Sequence, residues 1–335
     1  MRALVNPAVD TDAVAPPGGE AMAFHAALPG YRPTPVRDLP AVAAELGLRR
    51  VQLKDETDRL GLPAFKVLGA SWAIERALRE QPGLETLVAA SAGNHGRAVA
   101  HVAAQRGLAC RIYLPSRAAP ARRAAIAEEG AEVVVVAGDY EDAVARAAQD
   151  GTRHGVAEIA DVGDSGPAQW VIDGYATLFA EAAVQATFDV IIVPVGVGSL
   201  AAAAARFGAA SGVKVIGVEP VSAACLTASL AAGEPAVVET PGTAMAGLDC
   251  AEVSIAAWPS LRDGIQATVT IDDGEALAAI DELAAAGLRV GDCGAAPLAA
   301  LRALATEPVC AGLRDAVALG PGSRVLLIAT EGRTG

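Results

Sequence analysis

Short apolar runs, each too brief for a helix and followed by a helix-length stretch, constrain this chain more than any other feature. "ACRIYLP" leads into "ARRAAIAEEG", and "AEVVVVAG" into "YEDAVARAAQDG". The four consecutive valines lack the two-residue alternation of a half-buried strand, so the run reads as a parallel strand buried on both faces. The same rhythm appears in "RRVQLKD", followed by a helix over residues 66–80 with Val67, Ala70, Ile74 and Leu78 on one face. It continues through "LETLVAAS", "NHGRAVAHVAAQRG", "GYATLFAEAAVQA", "FDVIIVPVG", "VKVIGVEP" and "SRVLLIAT". Alternating strands and helices predict an α/β fold of two open, twisted, mostly parallel sheets flanked by helices. Residues 84–161 are expected to form a small inserted α/β domain, with 1–83 and 162–335 completing a larger one. The stretch "VGDSGPA" reads as irregular.

Charge and cysteine pattern exclude several classes of function. A net charge of −13 and a pI near 4.8 disfavour a nucleic-acid footprint or an anionic-membrane surface. No uncharged apolar run reaches the ~18 residues needed to span a bilayer. The opening "MRALVNPAVDTDAVAPPGGEAMAF" has acidic residues and prolines where a secretory leader needs an unbroken apolar core, so a cytoplasmic location is expected. Cys110, Cys225, Cys250, Cys293 and Cys310 are scattered with no CxxC pair, which predicts reduced thiols and no metal site.

Chemistry concentrates at one lysine and three loops. The chain carries 26 basic residues but only three lysines, Lys54, Lys66 and Lys214. Keeping lysine at position 66, in "LGLPAFKVLGASWAI", supplies an amine that can lose its proton, whereas arginine cannot; a side chain that merely snorkels from a helix start is the structural alternative. In "PVGVGSL" the glycines at 196 and 198 admit close backbone approach, and Ser199 adds a hydroxyl at a helix N-terminus, a ready anion site. A plain tight turn would have the same sequence. "SAGNHGRAVA" offers a second amide turn for a carboxylate, with Asn94 able to donate to an oxyanion and His95 either structural or a proton carrier. In "LLIATEG", Thr330 falls at the carboxyl end of a strand, where ligands of open α/β folds collect, unless it only caps the turn. Cys293, in "VGDCGAAPLAAL", reads as a packed residue, because nothing in the sequence supplies it with a base. An amine, two anion-binding turns and a hydroxyl suggest an aldehyde-phosphate cofactor, held by the lysine as a Schiff base.

The order of "AFKVLGASWAI", "SAGNHGRAVA", "VPVGVGSLA", "VIGVEP" and "LLIATEG" resembles the tryptophan-synthase-like, fold type II family of pyridoxal-phosphate enzymes. Within it, "AFHAALPGYRPTPVRDLP", "QWVIDGYATLFAEA" and "TAMAGLDCAEVSIAAWPSL" resemble the diaminopropionate ammonia-lyases, over about residues 22–332. The resemblance implies a carbon–nitrogen lyase that eliminates ammonia from 2,3-diaminopropionate, giving pyruvate and two ammonia. It implies pyridoxal 5'-phosphate as cofactor and a homodimer. Carried over by position, Lys66 is the Schiff-base lysine and Cα base, and Gly196, Val197, Gly198 and Ser199 hold the cofactor phosphate. Asn94 meets the phenolic oxygen and Thr330 the ring nitrogen. Ser91, Ala92, Gly93 and His95 line the substrate turn, and Asp161, or Asp164 in its place, is the second acidic residue.

One position departs from the lyase pattern. Ala92 stands where the lyases resembled here place an aspartate, a candidate base for the D-isomer, so a preference for the L-isomer is expected. The same change moves the loop toward the serine and threonine dehydratases of this fold, which remain the alternative, with other β-eliminating or β-replacing enzymes acting on β-substituted L-amino acids. A cofactor-binding regulatory protein would need a damaged lysine or phosphate loop, and both are intact. Cys225 and Cys250 each flank a family motif and are expected as thiols.

Overall fold

The computed structural model describes residues 2–164 and 166–333. Among these residues eleven strands fall into two sheets. β1 (Ala3–Val5), β2 (Val36–Asp38), β3 (Arg50–Asp55), β8 (Val190–Pro194), β9 (Lys214–Pro220), β10 (Ala267–Ile271) and β11 (Arg324–Ala329) build a seven-stranded sheet ordered β1-β10-β9-β8-β11-β3-β2. β4 (Thr86–Ala90), β5 (Ala109–Pro115), β6 (Glu132–Val136) and β7 (Val156–Glu158) build a four-stranded sheet ordered β6-β5-β4-β7. The pairings are parallel except at the two edges of the large sheet, where β1 and β2 run antiparallel to β10 and β3. The edge strands have three residues each, too few to show a period in the sequence.

The chain divides into two compact units, residues 1–65 with 175–335, and residues 66–174. The smaller one reaches beyond the expected 84–161 because flanking helices pack within it. The helix Lys66–Glu80 lies against the helix Asn94–Arg106, and the backbone of Gly174 sits on Leu68 and Gly69 so closely that a Cβ there would come within 2.6 Å of the Leu68 carbonyl. Of the stretch read as irregular, Ser165 lies outside the described residues, and Gly166 already opens a helix running to Gln185. The division falls inside that helix.

In the larger unit, residues 190–193 are at most 1% exposed, as are Val215, Ile216 and Val218. Each such buried aliphatic side chain contributes ~1.5–3 kcal/mol of transfer free energy, and the helix Asp292–Thr306 packs on β8, β10 and β11, covering the face that carries Val190, Ile192, Ile216 and Val218. In the smaller unit the helix Tyr140–Gly151 covers β4 and β5, burying Ala143 and Ala147 against Val88 and Tyr113. Correcting the sequence reading, "VVVV" is not buried on both faces: β6 is the edge strand of the small sheet, and Val135 is 46% exposed. A run of valines reports β propensity, whereas burial depends on neighbours the run does not encode.

Candidate active site

In the smaller unit three sequence-selected residues meet. Lys66 is the first residue of its helix, and its Nζ donates to Asp161 Oδ2 at 2.9 Å. Asp161 follows β7 in the chain and has a side chain 12% exposed. His95, in the first turn of the helix Asn94–Arg106, donates from Nε2 to the Ile159 carbonyl at 2.7 Å, and its Nδ1 lies 3.8 Å from Asp161 Oδ2. Burial opposes ionisation of Asp161, but the field of His95 when that ring is protonated, with the Lys66 cation and its hydrogen bond, outweighs it and holds the carboxyl down at about 2. For His95 burial wins: its pKa is lowered although Asp161 pulls the other way. The ring is therefore neutral near pH 7, and Lys66 is the cation facing the carboxylate. Asp164, the alternative acid, is exposed.

The turn joining β4 to the next helix is shaped by Gly96, where an added Cβ would lie 2.3 Å from the Ser91 carbonyl. Only hydrogen in place of a side chain lets the helix start fold onto the turn. Ser91 Oγ accepts from the Gly93 amide at 3.3 Å, and the Tyr140 hydroxyl donates to the Ala90 carbonyl at 3.4 Å, bracing the strand end. Ala92 and Asn94 are half-buried and Gly93 exposed beside this turn.

In the larger unit the loop after β8 carries Gly196, Val197 and Gly198 into the helix Ser199–Ser211. Gly198 takes φ +92°, a left-handed conformation that favours glycine, and an added Cβ would meet Leu261 Cδ1 at 2.6 Å. At Gly196 it would meet the Gly247 carbonyl at 2.7 Å and Cys250 Sγ at 3.1 Å. The Ser254 amide holds the Val197 carbonyl at 2.8 Å. A glycine N-cap supplies no side-chain oxygen to the first-turn amides, which leaves that helix end suited to an anion. Thr330 follows β11, is 4% exposed, and its hydroxyl has no hydrogen-bond partner among the described residues, while its carbonyl accepts from the Phe65 amide at 3.1 Å. A buried hydroxyl left in that state costs ~1–3 kcal/mol, so such atoms mark places where a further group is received.

Cys110, Cys225, Cys250, Cys293 and Cys310 are thiols, not disulfides. Cys225 Sγ lies 3.6 Å from the Gly196 carbonyl, and burial, with the nearby Glu219 carboxyl, raises its pKa. Burial also raises Cys293 well above the ordinary thiol range, which rules it out as a ready nucleophile. The sequence reading missed the supports: Glu219, a buried residue of β9 whose carboxylate accepts the first amides of the helix Cys225–Ala232, and a charge cluster around Arg59. The density of charge in "LKDETDR" beside a buried strand was the available signal. Among the described residues no group of three or more His, Cys, Asp or Glu is placed to hold a metal ion, and no helix is long and apolar enough to cross a membrane.

The smaller unit thus carries an amine beside a carboxylate, and the larger one a helix start suited to an anion and a buried hydroxyl at a strand end, features suited to an enzyme of the pyridoxal-phosphate class. A model of the family "Pyridoxal-phosphate dependent enzyme" matches residues 27–331, and the chain belongs to that family. Within it, the chain is similar to the diaminopropionate ammonia-lyase of Escherichia coli strain K12, 32% identical over 93% of this chain and 87% of that protein. A crystal structure of the Escherichia coli diaminopropionate ammonia-lyase in complex with an aminoacrylate-PLP azomethine reaction intermediate superposes with a TM-score of 0.89, at 30% identity, covering 98% of this chain and 93% of that one. The biosynthetic L-threonine dehydratase of Escherichia coli is more distant, 29% identical over 80% of this chain and 52% of that protein. The expected fold, two mainly parallel sheets flanked by helices as in fold type II enzymes, is the one observed.

Proposed function

We propose that this chain eliminates ammonia from 2,3-diaminopropionate, giving pyruvate and two ammonia, and prefers the L-isomer. The observation that carries the site assignment is the Lys66–Asp161 pair, because its carboxylate already holds an alkylammonium at 2.9 Å. Similarity to the ammonia-lyases over nearly the whole chain supports the same reading.

Bound pyridoxal phosphate supplies the electron sink that acidifies the substrate's Cα–H. The rest falls to the protein. The Lys66 amine is the covalent anchor and takes the Cα proton; the β-nitrogen, held as an ammonium, already carries the proton with which it leaves as neutral ammonia. The Gly196–Ser199 amides bind the phosphate, and Asn94 donates to the phenolic oxygen. Thr330 meets the ring nitrogen with a neutral hydroxyl, which, unlike a carboxylate, does not keep that nitrogen protonated. The turn Ser91–Gly93 takes the substrate carboxylate. Asp161 binds the distal ammonium, and His95, through its bond to Ile159, fixes the chain that carries Asp161. Ala92 offers no base on the opposite face of Cα, which leaves the L-isomer as the one Lys66 deprotonates.

A serine or threonine dehydratase is the second reading, favoured by the neutral Ala92. We place the enzyme in the cytoplasm as a homodimer, which light scattering of the purified protein checks. The deciding experiment is pyruvate or 2-oxobutyrate release from L- and D-2,3-diaminopropionate, L-serine and L-threonine with pyridoxal phosphate present. Turnover dominated by L-diaminopropionate is expected; dominance by serine or threonine selects the dehydratase, and substantial turnover of the D-isomer overturns the role given to Ala92.

A further inference from the structure

A concentration of buried charge lies in the larger unit, on side chains given no part in the proposed chemistry. Lys54, Glu56, Arg59 and Glu181 are each at most 2% exposed. The Arg59 guanidinium donates to Glu56 Oε2 at 2.8 Å and Oε1 at 2.6 Å, to Glu181 Oε1 at 2.7 Å and Oε2 at 2.8 Å, and to Thr34 Oγ1 at 2.9 Å. Lys54 Nζ donates to Glu181 Oε2 and to the Thr34 carbonyl, both at 2.7 Å. Two cations and two carboxylates balance. Such a cluster, in place of apolar packing, adds little net stability, because desolvation consumes most of the Coulomb gain; what it gives is one defined arrangement.

That arrangement fills a loop closed at both ends on the last strand. The Glu56 amide donates to the Ala329 carbonyl at 2.9 Å, and nine residues later the Phe65 amide donates to the Thr330 carbonyl at 3.1 Å. Between them the Gly332 amide donates to the Pro63 carbonyl at 2.9 Å, and Ala64 bridges Glu331. The turn at the loop's tip pairs Arg59 with Leu62 in both directions, at 2.8 and 3.0 Å, and forces Leu60 to φ +52° beside Gly61 at φ +83°. A leucine in the left-handed region costs of order 1 kcal/mol and persists only where its surroundings over-determine it. The guanidinium of Arg59, at the base of that turn, is the over-determining contact. Phe65, at the far end, is the residue before Lys66.

We propose that Arg59, with Glu56 and Glu181, is a positioning device that sets the register of residues 56–65, the segment leading into Lys66, on the strand end that carries Thr330. It touches no reacting atom and acts through those two residues, so it rests on their proposed roles. Arg59→Lys keeps the charge but loses the fork that grips both carboxylates. Glu56→Gln keeps one acceptor and removes one grip. Both are read by the thermal midpoint of the cofactor-free protein, the visible circular dichroism of bound pyridoxal phosphate, and kcat and KM per bound cofactor. In whichever variant folds, an altered dichroism band and a kcat lower by roughly ten- to a hundredfold are expected, with KM within about threefold, as for an ångström-scale misplacement. A lowered midpoint with parental dichroism and kcat overturns the proposal, as does failure of both variants to fold, which would make the cluster a folding determinant. A parent protein in which borohydride fixes no cofactor on Lys66 overturns the reading of Lys66 and this proposal with it; a normal parent with unaffected variants overturns the proposal alone.

Discussion

Removing the charge of Asp161 separates its structural role from the substrate-binding role proposed for it. In the cofactor-free protein the carboxyl falls from an ordinary 3.8 to about 2, and at ~1.4 kcal/mol per pKa unit the folded state gains about 2 kcal/mol from ionising it. Because the folded pKa is depressed, that stability is present above pH about 4 and is lost as the pH falls toward 2. Asp161→Asn is therefore expected to lower the urea midpoint at pH 7 by an amount equivalent to about 2 kcal/mol, with the difference from the parent shrinking below pH 4. If Asp161 has the role proposed for it, in the loaded enzyme the same substitution removes a charge-assisted hydrogen bond to the distal ammonium, worth about 1.5–3 kcal/mol. KM for diaminopropionate should rise by roughly ten- to a hundredfold, and KM for L-serine, which has no distal ammonium, by less than about threefold. Equal stability of parent and variant at pH 7 would refute the electrostatic reasoning, and equal KM changes for the two substrates would refute the assignment of the ammonium site.

Three further substitutions test the rest of the site. Lys66→Ala is expected to reduce pyruvate formation by at least about a thousandfold and to abolish borohydride trapping of the cofactor, measured by mass spectrometry of the reduced protein. Gly196→Ala places a methyl 2.7 Å from the Gly247 carbonyl, a backbone atom that cannot move aside alone; overpacking of ~1–3 kcal/mol predicts roughly ten- to a hundredfold weaker pyridoxal-phosphate binding in a fluorescence titration. Glu219 is pushed up by burial from an ordinary 4.5 to about 7, despite the amides of Leu226 and Thr227 and the Thr227 hydroxyl that donate to it. With its folded pKa raised, its contribution is full below pH about 4.5 and is lost as the pH rises to 7. The stability difference between Glu219→Gln and the parent should therefore change by a few kcal/mol across that interval in thermal melts at pH 5, 6 and 7; a constant difference would contradict it.

Much of the site was legible because its chemistry is local. A glycine-flanked helix start after a buried strand, a lysine in a chain that otherwise uses arginine, and a threonine closing the last strand are readable from neighbours within a few residues. Asp161 was nominated only through resemblance, with Asp164 beside it; its contact with Lys66 joins residues 95 positions apart, and only the folded chain separates the two. The pairing of Arg59 with Glu181 was not legible, although the charge density of "LKDETDR" hinted at the cluster around Arg59. Charged residues are ordinarily exposed, and nothing local says that these two, 122 residues apart, neutralise each other.

By itself the sequence determined the alternation of strands and helices, the parallel pairing that follows from it, and the chemistry of the lysine, glycines and threonine, because propensity and backbone stereochemistry act over a few residues. Tertiary structure decided which strand becomes an edge, so that Val135 is exposed while Val193 is wholly buried. It also decided which acid meets Lys66, and that four charges balance in the interior, because burial and electrostatic pairing depend on distances in space that separation along the chain does not specify.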